Sequence, residues 1–246
     1  MSALLFLLPL LSAAGEPTLE LVTLQYPPYQ YQDGAETKGF VVDIVREAFR
    51  RMGRSIHVSV YPWGRSLAMA ESGLADGIFT LYKTPERESK LDYSHQVLMP
   101  QAVSLFVLKG AAIHFEGELK PLAGYRFGVV RAVSYGAIFD GAAKRGDIQV
   151  SEVAASGEQN VEKLLARRFD ILVSNRYGAW DIMKRMHVDG QVRELQPPVE
   201  QIPSYLAFAR KPELAGLRER FDAALESMRR DGSYQRLVEE ADKSAR

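Results

Sequence analysis

Apolar positions along this chain keep switching between two periods. Val41, Ile44, Val45, Ala48, Phe49 and Met52 fall at helical spacing, and Gly53 supplies a stop, so a helix is expected over 40–52. On either side, "LELVTL" (19–24) and "SIHVSVY" (55–61) read as strands. "GRSLAMAESG" then reads as a short helix ended by Gly73, and "ADGIFTLY" (75–82) as a third strand. Strands alternating with helices in this way predict a parallel sheet with helices on its faces.

The middle of the chain repeats the pattern. "YRFGVV" (125–130), "DIQVSEV" (147–153) and "FDILVS" (169–174) are predicted strands. Between and after them come predicted helices over 134–144, in "NVEKLLARR" and in "GAWDIMKRM". A tail helix over 212–227 places Leu214, Leu217, Phe221, Leu225 and Met228 on one face, "RRDGS" closes it, and a last helix runs from Tyr234 to about Asp242. No fixed period of about 20–50 residues appears, so a solenoid is not expected.

In open parallel sheets, ligands bind beyond the carboxyl ends of the strands. The chemically expressive residues stand there: Tyr26, in the three-tyrosine loop "QYPPYQYQDG", then Trp63, Tyr82, Arg87, Ser134, Tyr135 and Asn175. Arg87 is the unusual member. Thr84-Pro85 marks a helix start, whose third helical residue ordinarily favours Glu or Gln; here it is an arginine, mildly unfavourable by about 0.3–1 kcal/mol at an exposed site.

Composition narrows the class. The 246 residues are 46% apolar and 25% charged, with 31 basic against 31 acidic side chains, which fits an ordered globular chain and gives no nucleic-acid footprint. There are no cysteines, which excludes disulfides, thiol catalysis, Cys-based zinc sites and a bacterial lipoprotein anchor. The apolar run "ALLFLLPLLSAA" (3–14) is too short for a bilayer span of about 20 residues. It reads as a secretory leader with cleavage after Ala14. No Lys or Arg precedes the run, which points to a start codon further upstream. His57, His95, His114 and His187 are scattered without metal-ligand spacing, and no G-x-S-x-G, P-loop or G-x-G-x-x-G occurs, so no metal or cofactor is expected.

Four stretches together, "PPYQYQDGAETKGFVVDIVREAFRRMG" (27–53), "SGLADGIFTLYKTPERESKLDYS" (72–94), "ARRFDILVSNR" (166–176) and the closing segment 205–243 with its "DGSY", resemble the periplasmic solute-binding proteins of family 3, which feed polar amino acids to ABC importers. The resemblance implies an α/β, two-lobed periplasmic-binding-protein (type II) clamshell with lobes joined by two hinge strands. Lobe 1 is expected over 15–104 plus 205–246, lobe 2 over 105–204, and the leader over 1–14. It implies a soluble periplasmic monomer that binds a small molecule and docks on a membrane permease.

It also implies roles for the strand-end residues. Arg87 of the Thr-x-Glu-Arg element matches the arginine that binds the ligand carboxylate, and Tyr26 and Trp63 match the aromatic sandwich. Tyr82 falls where relatives carry a small hydroxyl residue. Ser134 and Tyr135 fall at a turn expected to offer helix N–H groups, with Ser134 as its cap. Asn175 replaces the Asp that neutralises the ligand ammonium. Two alternatives accompany this reading: a sensing subunit with the same cleft, and an enzyme resembling cyclohexadienyl dehydratases, for which no clear acid–base pair is seen.

Overall fold

The computed structural model describes residues 16–131 and 133–245; the expected leader lies outside the described residues. The first unit runs β1 (Leu19–Thr23), β2 (Tyr31–Asp33), β3 (Glu36–Lys38), α1 (Phe40–Arg51), β4 (Ile56–Val60), α2 (Trp63–Glu71), β5 (Gly77–Leu81), α3 (Pro85–Lys90) and β6 (Leu91–Tyr93). The long β7 (Met99–Leu108) leads to a second unit of β8 (Arg126–Val130), α4 (Gly136–Arg145), β9 (Gln149–Ala154), α5 (Gly157–Leu165), β10 (Ile171–Asn175) and α6 (Arg176–Arg185). The return strand β11 (Val192–Ala209) precedes α7 (Leu217–Arg230) and α8 (Ser233–Ala245).

These elements form two lobes. In the first, β1 pairs in parallel with β4 and β5, and the C-terminal part of β11 closes the sheet antiparallel to β5 and β6. In the second, β8 pairs in parallel with β9 and β10, and β10 lies antiparallel to β7. β7 and β11 pair with each other from Met99–Ser204 to Leu108–Val192 and carry the chain between lobes. Each sheet is packed on both faces, as the βα alternation requires. Leu21, Ile44, Phe49, Phe208 and Phe221 fill one side of the first sheet, and Val22, Ala70, Ile78 and Leu81 the other. Phe127, Phe139, Ile171 and Val173 fill one side of the second, and Phe106, Leu164, Leu172 and Met183 its opposite side. No helix among the described residues is long and apolar enough to cross a membrane.

Some expectations are corrected. The tyrosine loop is not wholly irregular: its end forms β2, which makes a small hairpin with β3 just after it. The tail helix does not begin at Pro212, because Pro212–Leu214 makes a separate 3-10 turn and Gly216, at φ 78°, breaks the chain direction before Leu217. The helix expected from 134 begins at Gly136, and its N-cap is Tyr135, not Ser134.

The last turn of α1 is tied to the α7–α8 junction by Arg51, which reaches Glu47 at 2.8 Å and Asp231 at 2.7 Å. Hydrogen bonds from Arg50 and then Arg51 pull the Glu47 carboxyl down to about 2. A carboxyl depressed on folding stabilises the native state fully above its unfolded value of about 4.3, and that contribution fades as pH falls towards the folded value. Glu47→Gln is therefore expected to reduce the loss of unfolding free energy between neutral pH and about pH 2.5. An unchanged loss in urea titrations at the two pH values refutes the assignment.

Candidate functional site

The site is built where strand ends of the two lobes face one another. A cavity of about 290 Å³ lies between them, near the lower end of small-molecule pockets. Tyr26, Tyr82, Ser134, Tyr135 and Asn175 all line it. Trp63 and Arg87 are not on its wall; they lie side by side, and Arg87 reaches the Tyr82 carbonyl. A larger cavity of about 510 Å³ sits between the flanks of α1, α6 and α8, away from the strand ends.

Arg87 is placed by local chemistry. Thr84 caps α3 by accepting a hydrogen bond from the Arg87 backbone N–H at 3.3 Å, with Pro85 at the first helical position. The Arg87 guanidinium donates to the Tyr82 carbonyl at 3.2 Å and stands 5.3 Å from the centre of the Trp63 ring. The nearby acids turn elsewhere: Glu86 faces Lys90, and Asp92 pairs with Arg218. Among the described residues no carboxylate pairs with Arg87. Trp63 is the first residue of α2, half-buried against the lobe 1 core.

Tyr26 follows β1, and its backbone exchanges two hydrogen bonds with Gln30, at 2.8 and 3.1 Å. Its ring stacks on Tyr29 at 5.0 Å and an interplanar angle of 7°. Tyr29, fully buried, meets Tyr177 of α6 edge-on at 5.5 Å, so an aromatic stack crosses from lobe 1 to lobe 2. Burial first, then proximity to Tyr82 and Tyr135, pushes the Tyr26 phenol well above its ordinary value. Three phenols therefore converge on the cavity. Burial pushes the Tyr82 phenol up to about 12, and its hydroxyl donates to Gln101 at 2.9 Å.

The lobe 2 wall differs from expectation. Tyr135 is buried in the core of its lobe, and its hydroxyl accepts from the Val130 N–H at 2.8 Å. The start of α4 offers few free N–H groups. Asp140 takes that of Tyr135, at 3.1 and 3.2 Å, Ser134 Oγ takes that of Gly136 at 3.4 Å, and Glu200 takes that of Ile138 at 2.9 Å. Ser134 itself donates to Asp140 at 2.6 Å. Asn175 is the N-cap of α6, its Oδ1 accepting from the Gly178 N–H at 3.1 Å.

Sequence reasoning missed a charged cluster on the same wall. Glu158, at the start of α5, and Asp181, on α6, both pair with Arg185 at 3.0 Å, and all three line the cavity. The signal was available in part. Glu158 follows the end of a predicted strand, and 175, 178, 181, 182 and 185 share one helical face. Thr80 was also missed: it sits at the end of β5 with φ 66° and donates to the buried Gln30 side chain at 3.0 Å.

Residues 21–241 match the model of the bacterial extracellular solute-binding proteins, family 3. The chain belongs to that family. Among solved structures, this solute-binding protein is similar to an ancestral cationic amino acid solute-binding protein, with a TM-score of 0.72 and 20% identity over 91% of this chain and 94% of that one. It is similar to the substrate-binding protein of an amino acid ABC transporter, at 0.62 and 17% over 92% and 100%. A histidine kinase sensor domain with similarity to periplasmic binding proteins is also alike, at 0.67 and 18% over 92% and 96%. At these identities the likeness concerns the fold. A search of curated proteins found no match.

Proposed function

We propose that this solute-binding protein is a soluble periplasmic receptor that captures a small carboxylate-bearing solute, an amino acid or a derivative of one, and delivers it to the permease of an ABC importer. The observation that carries the reading is Arg87, a guanidinium at a helix start, braced by the Tyr82 carbonyl and Trp63 and without a carboxylate partner among the described residues. A planar two-pronged donor suits a carboxylate. Tyr26, Trp63, Tyr82 and Tyr135 supply surfaces for the body of the ligand, and Ser134 and Asn175 supply polar edges. The lobes, 15–104 with 205–246 and 105–204, close on the ligand about β7 and β11, and residues 1–14 serve as the export leader. The working form is a monomer.

A binding role is preferred to a catalytic one on chemical grounds. The Tyr82 and Tyr135 phenols, pushed up to about 12 by burial, are poorly matched to acid–base work near neutral pH. A sensing role is the second reading, supported by the fold-level likeness to a histidine kinase sensor domain. A permease gene beside this one favours import, and a kinase gene favours sensing. The ligand released from the purified protein and identified by native mass spectrometry tests the main reading: an acid is expected, and a solute without an acidic group overturns it.

A further inference from the structure

Helix α6 presents different residues in three directions. Ala179 and Met183 pack into the core of lobe 2, and Gly178, Asp181, Ile182 and Arg185 line the cleft cavity. Tyr177 goes the third way. It is only 5% exposed, yet it is buried not in the core of its own lobe but in the cluster that Tyr29, Phe40 and Phe49 form in lobe 1. Its ring meets Tyr29 at 5.5 Å and Phe40 at 5.2 Å, and Trp180, three residues on, packs against the cores of both lobes.

These ring contacts stand in series with the cleft. The chain passes between the lobes through β7 and β11, and neither strand carries any of the rings. A rotation about those strands that opens the cleft draws Tyr177 away from Tyr29 and Phe40 and exposes three buried rings to water. The junction is not a sealed core, since the cavity of about 510 Å³ runs beside it with Phe40 and Lys184 on its wall. Tyr29 also backs Tyr26, which lines the cleft cavity, so a solute resting on Tyr26 bears on the same stack. Resting on the reading of β7 and β11 as hinges, we infer that Tyr177 is a positioning residue: with Tyr29 and Phe40 it forms an aromatic latch that holds the lobes closed over the solute without touching it.

Because the chain has no cysteine, spin labels attached through Ala68→Cys in α2 and Val153→Cys in β9, both exposed positions, report the distance between lobes by pulsed electron spin resonance. Tyr177→Ala loses two ring contacts and is expected to raise the ratio of open to closed lobes by about 5- to 150-fold, whereas Tyr177→Phe, which keeps both rings in contact, should leave it within about twofold. Gly178→Trp opens the cleft independently: a Cβ there stands 4.0 Å from the Pro27 carbonyl oxygen of lobe 1, so an indole wedges the lobes apart. A longer distance with both Tyr177→Ala and Gly178→Trp supports the latch. A longer distance with the wedge alone overturns the latch and leaves hinge closure standing, and one distance in every variant overturns both. If Tyr177→Ala does not fold, Phe40→Leu removes the opposing ring while keeping that helix start apolar, and the same outcomes are read from it.

Discussion

Arg87→Ala is expected to weaken binding of the cognate solute by about 2–5 kcal/mol, roughly 30- to 4,000-fold in Kd, since it leaves a desolvated carboxylate without its cation. The empty protein should be little affected. In the absence of ligand Arg87 contributes one hydrogen bond to the Tyr82 carbonyl and an approach to Trp63, the latter worth about 0.5–1 kcal/mol at an exposed site. Its folding midpoint should therefore stay close to that of the wild type while the ligand-induced rise in that midpoint disappears. Arg87→Lys keeps the charge but not the planar fork, so its affinity should fall between the two. Calorimetry on the three proteins with one ligand checks the order, and equal affinities would show that the carboxylate is held elsewhere.

Gly39→Ala should lower unfolding free energy by about 2–6 kcal/mol, a left-handed strain of about 1–3 kcal/mol added to an overpacking penalty of similar size. Gly39 precedes α1 with φ 120°, and an added Cβ would stand 2.3 Å from the Tyr29 carbonyl oxygen. That oxygen accepts the Val41 N–H at 3.0 Å, and the Tyr29 ring is the backing on which Tyr26 stacks. A methyl group at 39 therefore displaces the loop that carries the first aromatic wall of the cleft. Affinity should fall together with stability, in contrast to Arg87→Ala, where affinity alone falls. A change within about 1 kcal/mol of zero in urea denaturation, comparable to the error of extrapolation, would refute the close approach.

The elements most legible in the sequence are those whose signal is local. The apolar face of α1 and its Gly53 stop, the Thr84-Pro85 start of α3, and the strands β4, β5, β8 and β10 all appear near their expected bounds. Less legible were segments in which a local preference is overridden by a short interruption. Apolar spacing continues across 212–217, but Gly216 at φ 78° separates the 3-10 turn from α7. In the candidate site, five of the seven expected residues share one cavity and the other two share a corner beside it. Ser134 and Asn175 proved harder to read. A hydroxyl or an amide at a helix start can face a ligand or satisfy the backbone, and only the positions of Asp140 and Gly178 show which hydrogen bonds are made.

The sequence by itself determined the alternation of strands and helices, the family to which the chain belongs, and the arginine that stands where a helix start favours an acid, because periodicity, caps and stops act over a few residues. Only the tertiary structure decided the electrostatics of the cleft. Glu158 and Arg185 are 27 positions apart, and folding of α5 against α6 brings them into one ion pair. Tyr29 and Tyr177 meet across the lobes only because the loop after β1 and the start of α6 are brought together. Whether an acid is free for a ligand depends on such distant partners, and Coulomb interactions between groups far apart in the chain carry no local signature.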